Sequence, residues 1–358
     1  MQQNMSHHKI TLLLPGYTTK TEVNDDKALP NLHDSFDFSV DNEHLPWQHW
    51  LLQMFGHDSN LGRQLPVARV DIANWGGSEK PDPELLNAGI VRADPLFLKA
   101  DRDSATVLPF SGSMLTEDDA DEVLEALNTF ISEDGLQFFR GDACEWYLAG
   151  LDGEVLQTYP PTFLANRNAS AFLPDGDGSA HWRRLLTELQ MLMHALPVNQ
   201  QREQRGLNPV NSVWFWGGAP LPQLGPDNKQ LQLYSDNAQA HSLAKLFGVE
   251  CFSLADLDAN MTSIFANTEI VVVDDSAASA WLRRDVDGLE ATLSRMNQKW
   301  LDPLVKHVSA KQLAEVTIIN EDGLMGMCNR HSLSQSKLSQ RKNASVTGIW
   351  LKLRGLFK

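Results

Sequence analysis

The sequence predicts an α/β protein in which a parallel sheet is flanked by helices and interrupted by a smaller α+β unit. Three observations carry this. KITLLL at 9–14, IVVVD at 270–274 and VTIIN at 316–320 are apolar without alternation, as strands covered on both faces are. Helical periodicity fills the chain between the last two of these strands. Between residues 95 and 150 the texture changes to strand, strand, helix, strand, strand with short breaks, the pattern of a compact α+β unit.

Taken in order, KITLLL closes at Pro15-Gly16, a buried first strand feeding a loop. Residues 19–46 are polar and turn-rich and read as loop. In WQHWLLQMFG the apolar residues 47, 50, 51, 54 and 55 share a helical face, with Gly56 as the stop. Residues 76–88, rich in Gly, Pro and Asp, read as a boundary. Residues 95–99 and 105–110 alternate as half-buried strands. Thr116, with an acid three residues on, caps a helix running to about Ile131. LQFFR and EWYLAG follow as strands, and PDGDG at 174–178 leaves the unit. A long helix then begins at 179 and ends before Pro197. Helices at 236–247 and 281–299 complete the pattern. The predicted organisation is a discontinuous core of 1–88 and 178–329, an inserted unit of 89–177 and a tail of 330–358.

Composition fits about two globular domains, with 42% hydrophobic and 21% charged residues among 358. The N-terminus lacks the basic and apolar regions of a signal peptide, and no apolar run reaches about 18 residues. A cytoplasmic location is the expectation. Cys144, Cys251 and Cys328 are odd in number, widely spaced and without CxxC spacing, so neither a disulfide framework nor a cysteine zinc site is expected. HDSFDFSVDNEHLPWQHW is rich in His and acids but has no metal-ligand spacing such as HExxH, and reads as a solvated loop. Gly76-Gly77 and Gly217-Gly218 lack the lysine or third glycine of phosphate-binding loops.

The net charge is −16, yet residues 330–358 carry seven Lys/Arg and no Asp or Glu. The acidic body disfavours nucleic acid. On a helix, Ile349, Trp350, Leu353, Leu356 and Phe357 fall within about 120°, with Lys352, Arg354 and Lys358 outside it. Trp350, Lys352 and Arg354 are the candidate contacts of this basic amphipathic tail. Docking onto protein, whether the chain's own body or a partner, is expected ahead of weak contact with an anionic membrane surface.

One block is out of keeping with plain core. In HALPVNQQREQRGLNPVNSVWFWGGAPLP (194–222), Val213-Trp214-Phe215-Trp216 carries two indole N–H groups that need partners, then stops at Gly217-Gly218. This block, with FGHDSNLGR at 55–63, IVRADPLFL at 90–98 and the helix-and-strand run 115–150, resembles the cofactor-independent phosphoglycerate mutases of archaeal type, in the alkaline phosphatase superfamily. It is also similar to their bacterial relatives of the regulator-of-pathogenicity-factors type E group. The resemblance implies an alkaline-phosphatase-like core with the Trp/Gly strand near its joint with the insertion. Arg63, Arg92, Asn199, Arg202, Asn211, Trp214, Trp216, Gly217 and Gly218 are the candidate residues of that joint, either bracing the fold or lining a cleft.

The mutases use two divalent metals and a serine nucleophile, because the metals neutralise charge on the entering and leaving oxygens. In this sequence the resemblance puts Pro15-Gly16 where an Asp-Gly metal ligand belongs, and Trp47-Gln48 where the serine and its following aspartate belong. It puts Asp274, Ser279 and Arg283 on a His…Asp…His motif, and Asn320-Glu321-Asp322-Gly323 on an Asp-His pair. Glu145-Trp146-Tyr147 replaces a Tyr-Arg-His. A degenerate relative that acts by binding or regulation is therefore expected, with a phosphorylated metabolite as candidate ligand and no cofactor. The alternative is an active metal-dependent mutase or phosphatase with a rearranged site, in which Asp274, Asp275, Glu321 and Asp322, following two strands expected to be neighbours, hold Mn²⁺ or Mg²⁺. Thr18 and Thr19 are weaker candidates for a substitute nucleophile.

Overall fold

The computed structural model describes residues 9–17, 36–40, 44–60, 62–75, 82–101, 104–151, 156–174, 178–223, 231–260, 269–283, 285–321 and 324–334. Thr18, Thr19, Gly76-Gly77, Asp322 and the tail residues Trp350, Lys352 and Arg354 lie outside the described residues. In chain order the strands are β1 (Lys9–Leu13), β2 (Asp37–Val40), β3 (Ile90–Ala100), β4 (Ala105–Pro109), β5 (Gln137–Asp142), β6 (Glu145–Ala149), β7 (Ser212–Trp216), β8 (Leu231–Ser235), β9 (Glu250–Phe252), β10 (Glu269–Val273), β11 (Glu315–Ile319) and β12 (Leu324–Asn329). The chain forms two compact units.

The first unit comprises 1–44, 229–236 and 250–358. Its sheet runs β2-β12-β11-β1-β10-β8-β9. From β11 to β9 every pairing is parallel; β12 and β2 extend the β11 edge antiparallel. The central strands are apolar and buried on both faces: on one, Ile10, Leu12 and Val272 join the helical residues Leu289, Leu293 and Leu304 and Trp300 in one buried cluster, and on the other Leu13, Val271 and Val273 are buried. The predicted α/β parallel sheet is present. One expectation is corrected: the strands ending at Asp274 and before Glu321 are not neighbours, since β1 lies between them. Two strand spacings, roughly 9–10 Å, therefore separate those two chain segments.

The second unit comprises 45–228 and 237–249. Its sheet has the order β4-β3-β6-β5, with β7 also paired to β3, and the pairings are antiparallel. Helix Glu117–Phe130 starts where its sequence says: the Thr116 hydroxyl accepts from the backbone N–H of Asp119. Its apolar face, including Val123, Leu124 and Leu127, packs with Phe138, Trp146, Trp182 and Phe215. The Trp/Gly strand β7 belongs to this sheet, paired with β3. Residues 45–75 and 178–223 pack in this unit too.

Within the described residues, Cys144, Cys251 and Cys328 are free thiols, and no helix is long and apolar enough to cross a membrane.

Candidate functional site

In the second unit the register of β3 and β7 sets Arg92 opposite Trp216 and Asp94 opposite Trp214. Arg92 and Asp94 are buried, at 4% and 6% exposure, so their charges must be met internally. The Arg92 Nε donates to Asp94 Oδ1 at 2.9 Å, and its Nη1 reaches Asp71 Oδ2 at 3.0 Å, Tyr147 OH at 3.2 Å and Glu145 Oε2 at 3.3 Å. The guanidinium lies 5.0 Å from the Tyr147 ring centroid and 5.5 Å from that of Trp216. Trp216 Nε1 donates to Asp94 Oδ2 at 2.7 Å, and the Trp146 backbone N–H to Asp94 Oδ1 at 3.3 Å.

Both indoles of the Trp/Gly block thus have partners: Trp216 has a carboxylate, and Trp214 donates to the carbonyl of Tyr159 at 2.9 Å. Three carboxylates face one guanidinium. Burial outweighs the Arg92 charge and pushes the Asp94 carboxyl up to about 7; burial likewise raises Asp71. The glycine turn completes the site. Gly217 has φ +72° and its carbonyl accepts from Ala68 N–H, while a Cβ on Gly218 would fall 2.4 Å from Val91 Cγ1.

The other sequence candidates brace this unit. Asn199 donates to the carbonyls of Met193 and Val210 and accepts from Val210 N–H, and Asn211 exchanges two hydrogen bonds with the Leu98 backbone. Buried Arg202 pairs with Asp119 and donates to the carbonyls of Met114 and Asn208. Desolvation works against the Asp119 carboxylate, but hydrogen bonds and charge from Arg205 and Arg202 outweigh it and lower its pKa. Arg63 is engaged elsewhere, donating from Nε to Tyr159 OH at 3.0 Å.

In the first unit the strand ends are tied together. Asp274 is buried; its Oδ2 accepts from Trp300 Nε1 at 2.7 Å and its Oδ1 from Ser276 N–H at 3.1 Å. Tyr17 OH donates to Asn297 Oδ1 at 3.1 Å, burial pushes that phenol up to about 12, and Asn320 Nδ2 donates to the Tyr17 carbonyl.

No protein-family model matches the sequence. The chain is similar to the 2,3-bisphosphoglycerate-independent phosphoglycerate mutase of Methanosarcina barkeri, 25% identical over 142 residues, covering 39% of this chain and 36% of that one. It is 23% identical over 168 residues to a probable mutase of the same kind from Geobacter sulfurreducens, covering 46% and 42%. The chain is a distant homologue of the archaeal-type cofactor-independent phosphoglycerate mutases. The matches span about two fifths of these relatives' length. Among solved structures, the Thermoplasma acidophilum cofactor-independent phosphoglycerate mutase aligns over 89% of this chain and 88% of its own at 13% identity and TM-score 0.37. The PH0037 protein of Pyrococcus horikoshii aligns over 91% and 88% at 12% and 0.45.

In this mutase homologue the positions singled out above have definite surroundings. Gly16, at φ +75°, sits so close to the backbone of Ala277 and Ala278 that a Cβ would meet it at 2.9 Å. Trp47 and Gln48 are buried in helix Trp47–Met54, where Gln48 Nε2 donates to Gln239. Arg283 is exposed at the end of helix Ala278–Leu282. Among the described residues no group of three or more His, Cys, Asp or Glu could hold a metal ion, and each oxygen of the buried Asp274 carboxylate accepts a hydrogen bond.

Asp71, Asp94, Tyr147 and Trp300 are the residues sequence reading missed. Apart from Arg92, two positions from Asp94, their hydrogen-bond partners lie 21 to 122 positions away, and only the unpaired indoles of the Trp/Gly block signalled that acceptors were needed.

Proposed function

We propose that this mutase homologue works by binding, as a regulatory relative of the phosphoglycerate mutases, and not by two-metal phosphoryl transfer. The observation that carries this reading is that, among the described residues, no group of three or more His, Cys, Asp or Glu could hold a metal ion, whereas two-metal transfer needs several such ligands. The Asp274 carboxylate is buried against an indole N–H and a backbone N–H. The other positions at which the resemblance puts metal ligands or the nucleophile support the same reading: Pro15 has no ligating side chain, Gln48 binds another glutamine, and Arg283 is a cation in place of a metal-binding histidine. The ligand in this reading is a phosphorylated metabolite, and the basic segment 330–358 serves a protein partner.

The experiment is ³¹P NMR of 3-phosphoglycerate incubated with the purified chain in excess Mn²⁺, beside a chelated sample. The expected result is no metal-dependent formation of 2-phosphoglycerate. Turnover that stops on chelation would establish instead an active enzyme with a rearranged site.

A further inference from the structure

One pocket of the second unit is lined by five side chains that carry donors, Arg63, Gln157, Tyr159, Ser170 and Arg183. It has a volume of about 250 Å³, with Phe172, Ala171 and Leu173 also in its lining. Among the described residues of its lining there is no Asp or Glu, in a chain with 46 acidic residues against 30 basic. Arg63 and Arg183 are held in place without a carboxylate. Arg63 is half-buried, with its guanidinium 5.2 Å from the Tyr159 ring centroid and Nε on the Tyr159 hydroxyl, which leaves both terminal nitrogens unused. Arg183 grips the Pro174 carbonyl with Nε at 3.1 Å and Nη2 at 2.8 Å, which leaves Nη1 unused.

The supports are rigid. Thr158 N–H donates to the Arg63 carbonyl, its hydroxyl donates to Phe215 of β7 at 2.6 Å, and Trp214 holds the Tyr159 carbonyl. Asn168 caps the turn that carries Ser170, whose hydroxyl has no hydrogen-bond partner among the described residues. Two fixed guanidinium groups with spare N–H donors, next to a hydroxyl and a side-chain amide, match the acceptor-only surface of an oxyanion. Aromatic rings of Tyr159 and Phe172, 5.9 Å apart edge to face, supply the apolar wall for the group that bears it.

We propose that this pocket binds the oxyanion head, phosphate or carboxylate, of a small organic ligand. The pocket is argued from its own residues and holds whether or not the chain turns over phosphoglycerate, so failure of the two ideas is separately visible.

The test is isothermal titration of the full chain with inorganic phosphate, 3-phosphoglycerate and acetate in parallel. Saturable binding of at least one of these is expected. Arg63→Gln and Arg183→Gln should each weaken it about tenfold, as loss of one charge-assisted hydrogen bond does. Arg63→Lys should fall between, and Arg184→Gln, an exposed arginine paired with Glu188, should leave affinity unchanged. Arg183 is exposed, so its variant folds even where an Arg63 variant does not, and circular dichroism checks both. Phosphate without acetate would assign a phosphoryl head, and the reverse a carboxylate. No saturable binding up to about 10 mM, or an affinity in the folded Arg63→Gln and Arg183→Gln variants equal to that of the unmodified chain, would overturn the proposal.

Discussion

At the scale of residues, the buried pair of Arg92 and Asp94 explains why residue 216 is a tryptophan. Phenylalanine would fill much of the same space but would leave Asp94 Oδ2 without its indole donor. Trp216→Phe is expected to lose about 1–3 kcal/mol in urea denaturation, the range for stranding a buried polar group. The titration of Asp94 gives a second test. Its ordinary value is 3.8 and burial raises it to about 7 in the fold, so the native state holds this proton more tightly than the unfolded chain. The associated stability is fully present below about pH 4 and is lost as pH rises through 7. Unfolding free energy measured from pH 4 to 8 should fall accordingly, and Asp94→Asn should flatten the slope. In the other unit, Trp300→Phe should lower stability by about 1–3 kcal/mol by the same reasoning, through the freed Asp274 oxygen.

At the scale of elements, the turn after β7 is held by two glycines for different reasons. Gly217 adopts a left-handed φ of +72°, whereas Gly218 is crowded by Val91. Gly217→Ala should cost about 1–2 kcal/mol from backbone strain alone, read as a shift in the urea midpoint at unchanged slope. Much at this scale was legible in the sequence. KITLLL, IVVVD and VTIIN are strands of the parallel sheet because apolar residues on both faces need cover on both. Thr116 announced its helix through local cap chemistry alone. Helix Pro197–Gln204 was not legible, because Pro197 reads as a stop although proline is equally at home in a first helical turn. The antiparallel strands β2 and β12 were missed as well: MGMCN carries no alternation, and its pairing with β11 is fixed only in three dimensions. Likewise β7 has the apolar run of a parallel core strand, and nothing local shows that its partner is β3.

At the scale of the whole molecule, the chain keeps a mutase-like sequence signature while its polar side chains serve packing. The joint residues Asn199, Asn211 and Arg202 were singled out in the sequence through the resemblance of the Trp/Gly block to the mutase motif; that they bond to backbone could only be seen in the fold. The carboxylates Asp274 and Glu321 were legible as strand-end groups, whereas the intervening β1 and the Trp300 contact were not. The most direct measurement of the central claim is the Mn²⁺-dependent conversion of 3-phosphoglycerate by the intact chain, run against an active archaeal-type mutase as positive control. The binding account predicts a ³¹P spectrum that stays unchanged while the control converts. A growing 2-phosphoglycerate signal that chelation abolishes would contradict it.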